Sequence, residues 1–117
     1  MSKDKTPHWY LKYIGTKYSP SYNCKDFVND VLKREFNKSL PDNVNSPDVE
    51  QTEHLEDGNV ALYKDKGGRF HVGVIFKYDN NPYVLHNFIA TKSVILTPFE
   101  KMEELSLSFV GVYSINN

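Results

Sequence analysis

The chain has 117 residues, 39% hydrophobic and 14% aromatic, with 25% charged. This composition excludes a disordered chain and fits one globular domain, 1–117, whose core needs no staples. Fourteen basic against fifteen acidic residues, a net charge of −1, give no overall field that would draw it to nucleic acid or an anionic membrane.

The opening stretch Met1-Ser2-Lys3-Asp4-Lys5-Thr6-Pro7 is polar and leads into no signal-peptide-like apolar run, and no stretch reaches membrane-spanning length. The expectation is cytoplasmic synthesis without a leader, with a separate carrier if the protein acts elsewhere. Trp9, Tyr10, Tyr13 and Ile14 have the spacing of a short helix that packs aromatic rings and stops at Gly15. After a turn-rich segment around Pro20, Asn23 reads as a helix N-cap with Asp26 at the third helical position. Phe27, Val28, Val31, Leu32 and Phe36 then share one face of a helix running to about Asn37, which places Cys24 in its first turn.

Residues 39–57 contain Pro41, Pro47 and many acidic and amide side chains, and read as a long surface connection with room for one helical turn. Such loops often border a substrate cleft. Strands are predicted at Val60-Ala61-Leu62-Tyr63 and His71-Val72-Gly73-Val74-Ile75-Phe76, with a Gly67-Gly68 turn between them. Tyr83-Val84-Leu85-His86-Asn87-Phe88 follows across a hairpin, then Ser93-Val94-Ile95-Leu96 and Phe109-Val110-Gly111-Val112-Tyr113. The expected class is α+β, with N-terminal helices and a nucleophile helix packed on an antiparallel sheet of about five strands.

Cys24 is the only cysteine, so it forms no intramolecular disulfide and is a poor seed for a zinc site. At a helix N-terminus its thiolate is favoured by free amides and the dipole; the competing reading is a small buried hydrophobe. His71 and His86 lie on strands that pair across a hairpin, close enough for one imidazole to orient the other. His8 and His54 read as surface residues. The chemistry is then acyl transfer: His71 takes the thiol proton, Cys24 attacks an amide carbonyl, and His86 holds the His71 ring. The Cys24 N–H and the Tyr18 or Tyr22 hydroxyl are candidate oxyanion donors. The competing readings of the histidines are a structural pair or metal ligands; the acyl-transfer reading needs neither metal nor cofactor.

These residues resemble the NlpC-type cell-wall cysteine peptidases, of papain-like fold. Gly15-Thr16-Lys17-Tyr18 resembles the family's Gly-x-x-Tyr lead-in, Asn23-Cys24-Lys25-Asp26-Phe27-Val28 its nucleophile segment, and Leu40-Pro41 the Leu-Pro after the helix. Gly58-Asn59-Val60-Ala61 is similar to its Gly-Asp-Leu-Val strand, His71-Val72-Gly73-Val74-Ile75 to its histidine strand, and Val84-Leu85-His86 to the strand with the third polar residue. The resemblance implies a thiol endopeptidase or amidase that cuts peptidoglycan stem peptides with Cys24, His71 and His86 as catalytic residues. Tyr18, Tyr22, Asn23 and Lys25 would bind substrate. In the related CHAP amidases an Asn or acidic residue is the orienter, which makes Asn87 the rival to His86. Asn23 and Lys25 replace the usual Asp and Ser, which disfavours a free amino terminus and points to intact or cross-linked stems. A leaderless chain of this kind resembles a phage-tail hydrolase with a tail carrier, or an antibacterial effector with a delivery system and an immunity protein. The alternatives are a papain-like hydrolase or acyltransferase acting on another amide or ester, and a non-catalytic binding module.

Overall fold

The computed structural model describes residues 8–117; the polar residues 1–7, read above as no secretory leader, lie outside them. Helix α1 (Cys24–Phe36) begins at a reciprocal cap. The Asn23 side-chain oxygen accepts from the Lys25 and Asp26 amides at 3.0 and 3.1 Å, and the Asp26 carboxylate accepts from the Asn23 amide at 3.1 Å. Such a cap is worth about 1 kcal/mol. The helix ends at Asn37, whose left-handed backbone (φ 56°) stops it. Phe27, Val28, Val31 and Leu32 form its fully buried stripe.

The sheet contains β1 (Val49–Thr52), β2 (Val60–Lys64), β3 (Phe70–Tyr78), β4 (Asn81–Phe88), β5 (Ser93–Pro98) and β6 (Ser108–Ile115). Their order is β1-β6-β2-β3-β4-β5, and every neighbouring pair is antiparallel. Alternation along the strands splits the core between two faces. Helix α1 and the aromatic segment Trp9–Tyr13 cover one face, over Val60, Val72, Val74, Phe76 and Leu85. On the other, Tyr63, Ile75, Val84, Phe88 and Val112 pack with Met102 from a 3-10 helix, Phe99–Leu105.

The expectation of several helices on about five strands is corrected: the domain is strand-rich, a six-stranded sheet with one main helix. Trp9–Tyr13 is a five-residue 3-10 helix, and Ile14 already has extended backbone. The added strand, β1, comes from residues 39–57, where the sequence predicts a surface connection. It pairs with β6 from Val49↔Ile115 to Thr52↔Val112. Without it the outer edge of β6 would present a row of unpaired backbone groups.

Candidate active site

Cys24 is the first residue of α1, and its thiol is free and half-buried. The turn before it is tied to the sheet: the Asn87 side-chain nitrogen on β4 donates to the Tyr22 carbonyl at 3.0 Å. Asn87 is fully buried, and its Oδ1 has no hydrogen-bond partner. Burial pushes the Cys24 pKa up. The backbone amides of Val72, Lys25 and Cys24 itself act in the opposite direction, and the Asp26 carboxylate raises it further. The depressed thiol expected from the helix position is therefore not found, because loss of solvent outweighs the amides.

His71 and His86 share the sheet face opposite α1. One step beyond the Val74↔Leu85 pair sets Gly73 opposite His86, with His71 two residues away, so the imidazoles meet diagonally. The absence of a side chain at Gly73 makes room: a Cβ there would lie 3.0 Å from the His86 Cβ and press on Val84. His71 Nε2 and His86 Nδ1 are 2.7 Å apart, and His86 Nε2 is 3.0 Å from the Thr97 hydroxyl. The two rings are edge-on, with centroids 4.9 Å apart, and Phe88 packs on both.

Both imidazoles are buried, His86 completely. Burial pulls His71 down to about 4, with Asp65 opposing. It pulls His86 down to about 3, helped by the neighbouring His71. Both rings are thus neutral at neutral pH. Two tautomers satisfy the His71–His86–Thr97 chain. Only the one in which His71 Nε2 donates to His86 leaves His71 Nδ1 free to accept a proton.

Cys24 and His71 line one cavity of about 360 Å³, together with Tyr18, Asp65, Phe70 and Phe88. Among the described residues no hydrogen bond joins the thiol to His71; catalytic contacts are often loose before substrate binds. Of the four expected substrate-binding residues, only Tyr18 lines this cavity. The Tyr22 hydroxyl donates to Asp30 at 2.6 Å and so is not available as an oxyanion donor. Asn23 is occupied in capping. Lys25 lines a neighbouring groove of about 320 Å³ and pairs with Asp42 at 3.6 Å.

His86 and Asn87 point to opposite faces: His86 meets His71, whereas Asn87 holds the turn before Cys24. Sequence reasoning missed Thr97, because the predicted strand stops at Leu96 whereas β5 runs to Pro98. It also missed Asp65, which the turn before β3 places against the His71 cavity. The period-2 continuation of β5 could have found Thr97. Among the described residues no group of three His, Cys, Asp or Glu side chains could hold a metal ion.

No protein-family model matches the sequence, and no curated protein matches it. Among solved structures, one similar chain is an N-acetylmuramoyl-L-alanine amidase from Bacteroides uniformis. It is 18% identical with a TM-score of 0.44, over 54% of this chain and 30% of that one. The match thus spans less than a third of that chain's length.

Proposed function

We propose that the protein is a cysteine hydrolase that cuts an amide bond in peptidoglycan stem peptides. The observation that carries the hydrolase reading is that Cys24 and His71 share one cavity while His71 is tethered through His86 to Thr97. The choice of wall peptides rests on the ordered resemblance of the Cys24, His71 and His86 segments to the NlpC-type peptidases.

At neutral pH the resting pair is a thiol and a neutral imidazole, so proton transfer accompanies attack. His71 Nδ1 takes the Cys24 proton as the sulfur adds to the carbonyl carbon. The imidazolium keeps its Nε2–H on His86, and His86 keeps its Nε2–H on Thr97, so neither ring turns while charge develops. Backbone amides at the start of α1 and at Val72 stabilise negative charge at the reacting centre. His71 then protonates the leaving amine, and water, deprotonated by the same imidazole, releases the acyl group from sulfur.

Digestion of purified peptidoglycan by wild type and Cys24→Ala, with products read by mass spectrometry, tests this reading. Cleavage that vanishes with the thiol supports it and names the bond; an inert wild type on every stem refutes the wall substrate. A second reading, a thiol hydrolase or acyltransferase acting on another amide or ester, is favoured by the apolar groove beside Lys25. Delivery by a phage tail or as an effector, with a carrier or an immunity protein, remains part of the proposal and follows from the resemblance alone.

A further inference from the structure

The groove beside the catalytic cavity has walls of a different chemistry. It is lined by Leu40, Val44, Val49, Leu62, Phe70 and Val72, and its polar groups include the Lys25–Asp42 pair. Its volume of about 320 Å³ is at the lower end of the roughly 300–1,000 Å³ of small-molecule pockets. Two residues join it to the site of chemistry. Phe70 lines both cavities, and Val72, which lines the groove, is the next residue after His71 on β3. Lys25, next to Cys24, lines its other side. Phe70 is 61% exposed and Val44 45% exposed, an amount of open apolar surface at a cavity mouth that a ligand group would cover.

We propose that this groove holds an aliphatic group of the substrate, several carbons long, beside the bond that Cys24 attacks. The inference rests on Cys24 being the nucleophile, and goes beyond that reading by assigning what flanks the scissile carbonyl. Lys25 and Asp42 neutralise each other, so the groove offers no net charge to a carboxylate or an ammonium. Its selectivity comes from apolar contact, which grows with each methylene that enters it.

The test needs no turnover, so it stays readable if peptidoglycan proves not to be the substrate. Alkyl methanethiosulfonates from methyl to hexyl are reacted with the folded protein. The Cys24 thiolate attacks the sulfenyl sulfur, forming an alkyl disulfide and releasing methanesulfinate. With one cysteine in the chain, the mass increase reports a single site. Rates are divided by those of glutathione with the same reagent. The expected result is a rise of about two- to fourfold per added methylene. In Leu62→Trp, which fills the groove, the hexyl-to-methyl ratio should fall towards that of glutathione. Val44→Asp, on the exposed connection, should lower the same ratio and serves if Leu62→Trp does not fold. A normalised rate that is flat with chain length overturns the proposal, as does a rise that persists unchanged in a folded groove variant. A flat series alongside active peptidoglycan cleavage removes the aliphatic subsite alone; a rising series with no cleavage keeps the subsite and removes the wall substrate.

Discussion

His71 Nε2 and His86 Nδ1 stand 2.7 Å apart inside the sheet, on residues that are diagonal rather than directly opposed. The diagonal is open because the residue facing His86 is Gly73. One bond thus links a ring at the rim of the Cys24 cavity to a ring with no solvent exposure.

Adding a methyl at Gly73 tests that packing. Gly73→Ala brings a Cβ against Val84 and within 3.0 Å of the His86 Cβ. Overpacking of this kind typically costs about 1–3 kcal/mol. A lowered urea midpoint together with reduced turnover is expected, and an unaltered midpoint would show that the strands yield freely.

Acid should destabilise the fold through the same pair. Both imidazoles have folded pKa values below the unfolded 6.5, at about 4 for His71 and about 3 for His86. A depressed histidine contributes stability that is complete above the unfolded value and is lost as pH falls through the folded one, because the unfolded chain binds the proton first. Stability should decline by several kcal/mol, on the order set by 1.36 kcal/mol per pKa unit for the two shifts together, between about pH 6.5 and pH 3. Urea titrations across that window check this. A His71→Gln/His86→Gln variant should show a shallower decline, and an equally steep one would move the cause to the carboxylates.

The proposed roles predict an order of loss in hydrolysis. His71→Ala removes the base and should cost about 100- to 10,000-fold in kcat/KM. His86→Ala leaves a base without its orienter and should cost less, and Thr97→Val less again. Equal losses at His71 and His86, or a larger loss at His86, would reverse the assignment.

Thiol chemistry offers a readout independent of any substrate. Burial raises the Cys24 pKa above its usual value of 9.0. The rate of iodoacetamide alkylation should therefore keep rising through pH 9. A plateau already reached near neutral pH would instead reveal a preformed thiolate–imidazolium pair.

Asn87 is expected to act by position. Its side chain holds the Tyr22 carbonyl from inside the core, two residues before Cys24. Asn87→Ala should destabilise by about 2–3 kcal/mol through the lost bond and the cavity left behind. Slower alkylation of Cys24 at fixed pH in the folded variant would show that the turn has shifted; an unchanged rate would limit Asn87 to stability.

Helix α1 was legible because its information is local. Asn23 and Asp26 satisfy their own neighbours' amides, and the Phe27, Val28, Val31 and Leu32 stripe follows the helical period. The β3 and β4 hairpin was legible for the same reason, from apolar runs around a tight turn. Strand β1 was not: Val49-Glu50-Gln51-Thr52 is half-exposed at its ends and exposed in the middle, and it is a strand only because it pairs with β6, sixty or more residues away. Tyr22 shows the opposite limit. Its place before Cys24 suggests a site residue, but its hydroxyl is bound to Asp30, in the second turn of α1.

The sequence by itself determined where the cysteine sits on its helix and which two histidines lie on neighbouring strands, since caps and periodicities act over a few residues. Only the tertiary structure decided that the imidazoles meet across Gly73, that Thr97 completes their chain and that Asn87 holds the turn before Cys24. It also decided that the thiol is raised and the imidazoles are lowered, because desolvation depends on what the whole chain packs around a group.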